Sequence, residues 1–134
     1  MRKHKISLDK VQEAFNAAIK RRDKKCMIDD FDPCCGQLEC SHFYGVSESP
    51  ALRFYPPNAY AQCHLHHWWH HHGKGRKYWY DNWMTQWHFK DKCRNLVLKF
   101  KSIKYTDELK LEIIRLCNAD KLDELKELIE ENLT

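Results

Sequence analysis

The sequence predicts an α+β fold that is mostly helical, with a zinc-stabilised hairpin and helix as its core between N- and C-terminal helices. Two observations predict it. Both flanks of the 134-residue chain carry apolar residues at helical spacing, whereas residues 34–73 contain seven of the nine histidines and four of the seven cysteines. A chain of this length forms one domain with a shallow core, so a structural metal would add to its stability.

Residues 7–22 carry the pattern of an amphipathic helix. Ser7 is a suitable N-cap, and Leu8, Val11 and Phe15 fall on one face. Basic residues gather in the last turn, where they complement the helix dipole. We expect the apolar stripe to pack in the core.

The middle of the chain predicts a turn, a hairpin and a helix. Residues 26–40 contain Asp, Pro and Gly at positions that break regular structure. Residues 41–46 and 52–55 are strand candidates, and the loop between them is turn-prone. Residues 59–72 lack Pro and Gly and predict a helix that ends before Gly73.

The C-terminal part predicts further helices. Residues 78–89 have aromatic side chains at helical spacing, which is typical of core packing, while residues 93–105 are ambiguous between helix and strand. Thr106 is expected to cap a helix over 107–117, and Asp120 a helix over 121–132. We divide the chain into a domain over 1–105 and an acidic helical tail over 106–134, which packs on the domain or on a partner subunit in a possible homodimer.

The charge pattern bears on partners. The net charge is +4, residues 1–25 and 74–104 are basic, and the chain is acidic from Asp107 onward. A basic body with an acidic end indicates nucleic acid on one side of the molecule; the alternative is that each basic cluster is a solvated face.

The N-terminal sequence MRKHKISLDK lacks the apolar segment of a secretory signal, and no run of about 18 apolar residues occurs. We therefore expect no membrane span and a cytoplasmic location. Cysteines in that reducing compartment more often bind metal or stay free than form disulfides, and an odd total of seven fits a disulfide framework poorly.

The spacing of cysteines and histidines predicts a zinc site. Cys63 and His66 are three residues apart at the expected helix and can share one ion. Cys35 is favoured upstream, because Gly36 allows the backbone to turn so that amide groups point at the thiolate. Cys26 is favoured as the fourth ligand, with Cys34 and Cys40 as alternatives. Mixed sulfur and nitrogen ligands in a tetrahedral set select Zn²⁺.

A second set of histidines predicts a catalytic site. His67 and His71 are four residues apart, so on a helix they share one face that can hold a divalent cation or a second zinc ion. His42 lies on the preceding strand candidate, where a neutral imidazole could deprotonate water for phosphodiester hydrolysis. A metal ion would stabilise the charge on the phosphate and on the leaving oxygen.

The order of these features resembles the ββα-metal or HNH nuclease motif. More closely, it resembles the NinG (Rap) family of phage recombination endonucleases. The residues that carry the resemblance lie between about 20 and 85: Arg22-Asp23-x-x-Cys26, Cys35-Gly36, Ser41-His42-Phe43, Leu52-Arg53-Phe54, Asn58, Gln62-Cys63 and His66-His67. The family's second cysteine of the downstream pair is His66 here.

The resemblance implies a role for each matching position. His42 would be the general base, Asn58 would tie down the loop that orients it, and His67 and His71 would hold the catalytic ion, Mg²⁺ or Mn²⁺. Phosphate contacts would come from Arg53, Lys74, Arg76 and Lys77.

The implied activity is cleavage of DNA, possibly branched, in the host cytoplasm if the protein is phage-encoded. Two alternatives remain at this point. One is a non-catalytic zinc-dependent nucleic-acid-binding protein, and the other is an interaction protein whose acidic C-terminal helices bind a protein partner.

Overall fold

A computed structural model describes residues 5–29, 33–73, 77–86, 89–100 and 102–134, with the backbone alone for residues 77 and 78. The fold is α+β, with a two-stranded antiparallel sheet among helices. The elements in chain order are α1 (Leu8–Asp23), β1 (Leu38–His42), β2 (Ala59–Cys63), α2 (His64–His72), α3 (Lys77–Gln86), α4 (Phe89–Lys99), α5 (Asp107–Asn118) and α6 (Leu122–Asn132).

Helix α1 forms as its sequence predicts. The Ser7 hydroxyl accepts a hydrogen bond from the amide of Lys10 at 3.3 Å, which satisfies one amide of the first turn. Of the apolar stripe, Val11, Phe15 and Ile19 are fully buried, and Leu8 is partly buried against the core. The helix ends where Lys24 adopts a left-handed conformation with φ of 65°.

The hairpin is present, but its strands lie elsewhere than predicted. The ladder joins β1 to β2, with Leu38 opposite Cys63 and His42 opposite Ala59. The prediction of strands over 41–46 and 52–55 was therefore wrong. Prolines force the intervening loop into 3₁₀ turns at Pro50–Leu52 and Pro56–Asn58, and a proline lacks the amide that a ladder needs.

Strand β2 takes residues that the sequence assigned to a helix. All five of its residues are buried, so both of its faces are covered by the rest of the fold. Helix α2 consequently begins at His64 and not at residue 59, and it ends at Gly73 as expected.

The C-terminal helices complete the same core. Thr106 caps α5 through its hydroxyl, which accepts from the amide of Leu109 at 3.1 Å. The predicted cap at Asp120 was wrong. Lys121 occupies the N-cap of α6, and the Asp120 carboxylate instead accepts from Nε of Arg21 at 2.7 Å.

Helix α5 packs against α1, and α6 packs against the Pro56–Asn58 turn. Of the segment over 93–105 that is ambiguous in sequence, residues 93–99 belong to helix α4, whereas Ile103 forms an antiparallel bridge with Leu133. No helix in the described part of the chain combines the length and the apolar character needed to cross a bilayer.

Candidate functional site

Four side chains converge beside the N-terminus of α2. They are Cys26, Cys34, Cys63 and His66, whose ligand atoms all lie within 4.8 Å of one another. Nδ1 of His66 is 3.5 Å from the sulfur of Cys26, 3.7 Å from that of Cys34 and 3.2 Å from that of Cys63. We call this group the four-ligand cluster. It could hold a metal ion.

The separations within the four-ligand cluster fit tetrahedral coordination. With a Zn–S bond of about 2.3 Å and a Zn–N bond of about 2.05 Å, a sulfur and a nitrogen on one tetrahedral ion lie roughly 3.6 Å apart. The three sulfur-to-nitrogen distances, between 3.2 and 3.7 Å, bracket that value. The sulfur-to-nitrogen separations in the cluster therefore match those expected around a tetrahedral zinc ion.

Each ligand is positioned by a different piece of local structure. Cys26 follows the end of α1, and the amide of Met27 bonds to the Ala61 carbonyl of β2 at 2.8 Å. Cys63 ends β2 and is the N-cap of α2, where its sulfur accepts from the amide of His66. One turn into α2, the His66 side chain is fully buried.

The turn over 34–37 supplies the last ligand, and here the sequence prediction needs correction. Cys34 belongs to the four-ligand cluster and Cys35 does not. The carbonyl of Cys35 accepts from the amide of Leu65 at 3.1 Å, and Gly36 follows with φ of 88°. Both cysteine side chains of this turn are exposed, but only that of Cys34 reaches the other three ligands.

Burial affects the thiols of the cluster. It raises the pKa of Cys26 to about 12 and raises that of Cys34, although a hydrogen bond with a neighbouring cysteine partly offsets the rise in each case. A metal cation reverses this preference, since a coordinated thiol is deprotonated.

A second group of donors lies on the adjoining face of α2. Nε2 of His67 and Nε2 of His71 are 3.1 Å apart, and we call these two residues the histidine pair. Two nitrogens that are each about 2.1 Å from one ion lie roughly 3.0–3.4 Å apart for angles between 90° and 109°. The separation within the histidine pair therefore fits two ligands of one ion, as it also fits the hydrogen bond that the two rings make in this structure.

Glu39 on β1 supports the histidine pair, although no motif in the sequence singles it out. Its carboxylate accepts from Nδ1 of His67 at 3.0 Å and from Nδ1 of His64 at 3.0 Å. Burial would raise the pKa of Glu39, but these two hydrogen bonds outweigh it and lower that pKa. A proton on Nδ1 leaves the lone pair of His67 on Nε2, the atom that faces His71.

His42 ends β1, and its ring is held on two sides. Nε2 lies 2.8 Å from the carbonyl of Arg53, which can only accept, so this nitrogen carries the proton and Nδ1 holds the lone pair. The ring stacks on Phe15 at a centroid distance of 6.0 Å. Burial lowers the pKa of His42, and the Arg53 carbonyl only partly offsets this. The imidazole is therefore neutral near pH 7.

His42 shares a cavity of about 170 Å³ with two histidines of α2, His70 and His71. Its lining includes His42, Glu48, His70, His71 and Tyr80. The base candidate from β1 and one member of the histidine pair therefore open onto the same space.

Asn58 holds the loop between the two strands. Its side-chain nitrogen donates to the carbonyls of Tyr44 at 3.0 Å and Leu52 at 3.3 Å, and its oxygen accepts from the amide of Tyr44 at 2.9 Å. The residue is fully buried. These bonds hold the backbone on either side of Arg53, whose carbonyl orients His42.

The predicted phosphate contacts are only partly described. Nε of Arg53 donates to Oε1 of Gln12 on α1 at 2.8 Å. Lys74 and Arg76 lie outside the described residues, as does the side chain of Lys77.

Comparisons with protein-family models, with curated proteins and with solved structures found no match to this chain. Its chemistry is accordingly inferred from its own side chains. The four-ligand cluster offers four protein donors that could hold one metal ion. The histidine pair, which Glu39 contacts through His67, offers two nitrogen atoms.

Proposed function

We propose that this protein is a metal-dependent DNA endonuclease of the HNH type. One observation carries the proposal. His42, held by the Arg53 carbonyl, opens onto the same cavity as His71, whose Nε2 is 3.1 Å from that of His67. A neutral base beside an open two-nitrogen metal site is what hydrolysis of a phosphodiester requires.

The four-ligand cluster would bind Zn²⁺ in a structural role. Three thiolates and one imidazole in a tetrahedral set favour zinc over magnesium or calcium, which prefer oxygen. All four positions would be taken by protein atoms, which is typical of structural and not of catalytic zinc. The ion would join the end of α1 and the turn over 34–37 to the junction of β2 and α2.

The histidine pair would hold the catalytic ion. Of the two ions that the family resemblance implies, Mn²⁺ suits nitrogen ligands better than Mg²⁺ does, so we propose Mn²⁺. When bound there, a divalent cation supplies charge stabilisation for the phosphate and for the leaving oxygen. Glu39 would orient His67 for this task through the bond to Nδ1.

His42 would act as the general base. Its unprotonated Nδ1 would take a proton from a water molecule as the water oxygen attacks phosphorus. The bond between phosphorus and the leaving oxygen breaks, and that oxygen then takes a proton from solvent. Asn58 would contribute indirectly by holding the loop that carries the Arg53 carbonyl.

Cleavage of a labelled branched DNA in the presence of Mn²⁺ tests the proposal. His42→Ala should abolish cleavage while the zinc content and the circular dichroism spectrum match the parent. Glu127→Ala, an exposed change on α6 away from the cavity, is the control and should cut normally. If His42→Ala cuts as fast as the parent, the proposed mechanism is wrong.

DNA binding without cleavage would instead favour the non-catalytic alternative. In that case replacing both members of the histidine pair would leave binding intact. An absence of DNA binding at low salt would refute both alternatives, because a phosphate-binding protein shows steep salt dependence.

A further inference from the structure

The exposed face of α2 carries an aromatic surface that the proposed chemistry does not use. The Trp68 side chain is 49% exposed, and its ring packs against that of His72 with centroids 4.6 Å apart and the planes tilted by 34°. We call these two residues the stacking surface. His66 and His70, on the opposite face, are the buried residues of the helix.

The stacking surface lies beside the histidine pair. Trp68 directly follows His67 and is three residues before His71, and side chains three apart on a helix have Cβ atoms about 5–6 Å apart. His72 directly follows His71 and lies four residues after Trp68. On the surface of α2, the stacking surface is therefore the immediate neighbour of the proposed ion site.

The surroundings of Trp68 are polar. The other large apolar side chains that are exposed in the described part of the chain are Val46, Leu98 and Leu111, and none of them belongs to α2. Protein-binding sites on a surface are usually contiguous apolar patches with several anchors. A single exposed indole among histidines instead suits a flat aromatic ligand that has polar groups on its edge and charged groups attached to it.

We propose that Trp68, backed by His72, stacks on an unpaired nucleobase next to the scissile phosphate. This rests on the proposed function for its link to cleavage. A base inside a duplex has both faces covered by its neighbours, so only an unpaired base can stack on a side chain. The substrate class would then be DNA with a single-stranded segment at the cut site, such as the unpaired part of a branched molecule.

Binding without cleavage tests the stacking surface directly. The probe is a fluorescein-labelled oligo(dT), compared with a duplex of equal length, followed by anisotropy in buffer without Mg²⁺ or Mn²⁺. Stacking on one base corresponds to roughly 5- to 150-fold in affinity. Trp68→Leu should weaken oligo(dT) binding by that factor and leave duplex binding within about twofold. Trp68→Phe should keep most of the affinity, and Leu111→Ala is the matched exposed control.

Three outcomes would overturn the proposal. Trp68→Leu could bind oligo(dT) as the parent does, it could lose duplex affinity equally, or it could alter only the oligomeric state measured by light scattering. The last result would assign Trp68 to a protein interface. Cleavage that persists with no effect of Trp68→Leu refutes the stacking surface alone. Selective oligo(dT) binding without any cleavage refutes the nuclease alone.

Discussion

Neighbouring cysteines at positions 34 and 35 give the sharpest test of the four-ligand cluster. Cys34→Ser removes one of its four ligands, whereas Cys35→Ser changes an exposed side chain outside it. Structural zinc sites bind with apparent free energies of about 10–16 kcal/mol, which is roughly 3 kcal/mol for each of four ligands. Cys34→Ser should therefore weaken zinc binding on the order of 100-fold.

The same loss lowers stability, because the ion binds only the folded state. A decrease of about 3 kcal/mol in a domain of this size lowers the melting temperature by roughly 10–15 °C. The assay is zinc per chain by elemental analysis after competition with a chelator, together with thermal unfolding followed by circular dichroism. Cys35→Ser should retain one zinc ion and melt with the parent. A parent that carries no metal, or a Cys35→Ser variant that loses more zinc than Cys34→Ser, would refute the assignment.

Three further predictions concern the histidine pair, the base and the loop. Glu39→Gln should weaken Mn²⁺ activation by about 10- to 100-fold at unchanged zinc content, measured by titrating cleavage with Mn²⁺, because His67 loses its orienting carboxylate; equal Mn²⁺ dependence in both proteins would contradict this. In a pH profile of kcat/KM, the midpoint on the acid side should lie below the ordinary histidine pKa of 6.5, because burial lowers the pKa of His42 and only the neutral imidazole accepts a proton. Activity should thus be lost only as the pH drops through that lowered value, and a midpoint above 6.5 would count against His42 as the base. Asn58→Ala should reduce the free energy of unfolding by about 2–3 kcal/mol in a urea titration, because backbone groups of the loop lose their partners; a change below about 0.5 kcal/mol would show that the loop does not depend on Asn58.

Local patterns in the sequence were sufficient to predict the caps of α1 and α5 and the buried face of α1. Ser7 and Thr106 are caps with their hydroxyls in place, and the stripe of α1 is buried as its spacing predicts. Such features depend on residues within one or two turns. The false cap at Asp120 shows the limit, because its carboxylate is taken by Arg21, which is 99 positions away in the chain.

The strands could not be placed in the same way. Residues 59–63 lack Pro and Gly and are compatible with a helix, yet they pair with residues 38–42 across a long loop. Pairing and burial on both faces are decided by the rest of the fold and override local propensity. The strand prediction at 52–55 failed because the prolines around it favour 3₁₀ turns.

Three of the four predicted zinc ligands, Cys26, Cys63 and His66, lie in the four-ligand cluster. The choice between Cys34 and Cys35 depended on the direction of one turn, which the presence of Gly36 alone does not specify. Glu39 could not be predicted as a site residue for a different reason. Its proximity to α2 follows from the strand register, in which it lies opposite Gln62.

The hairpin ladder has only five residue pairs, and its two ends carry different chemistry. Leu38 pairs with Cys63 at the end beside the four-ligand cluster, and His42 pairs with Ala59 at the other end. A slip of two residues would keep every side chain on its own face yet move His42 by roughly 7 Å along its partner strand. A metal ion that holds Cys63 in place at the first end would therefore fix the strand register, and with it the position of His42 at the second end. Loss of that ion would then displace His42, although His42 is not one of the four ligands.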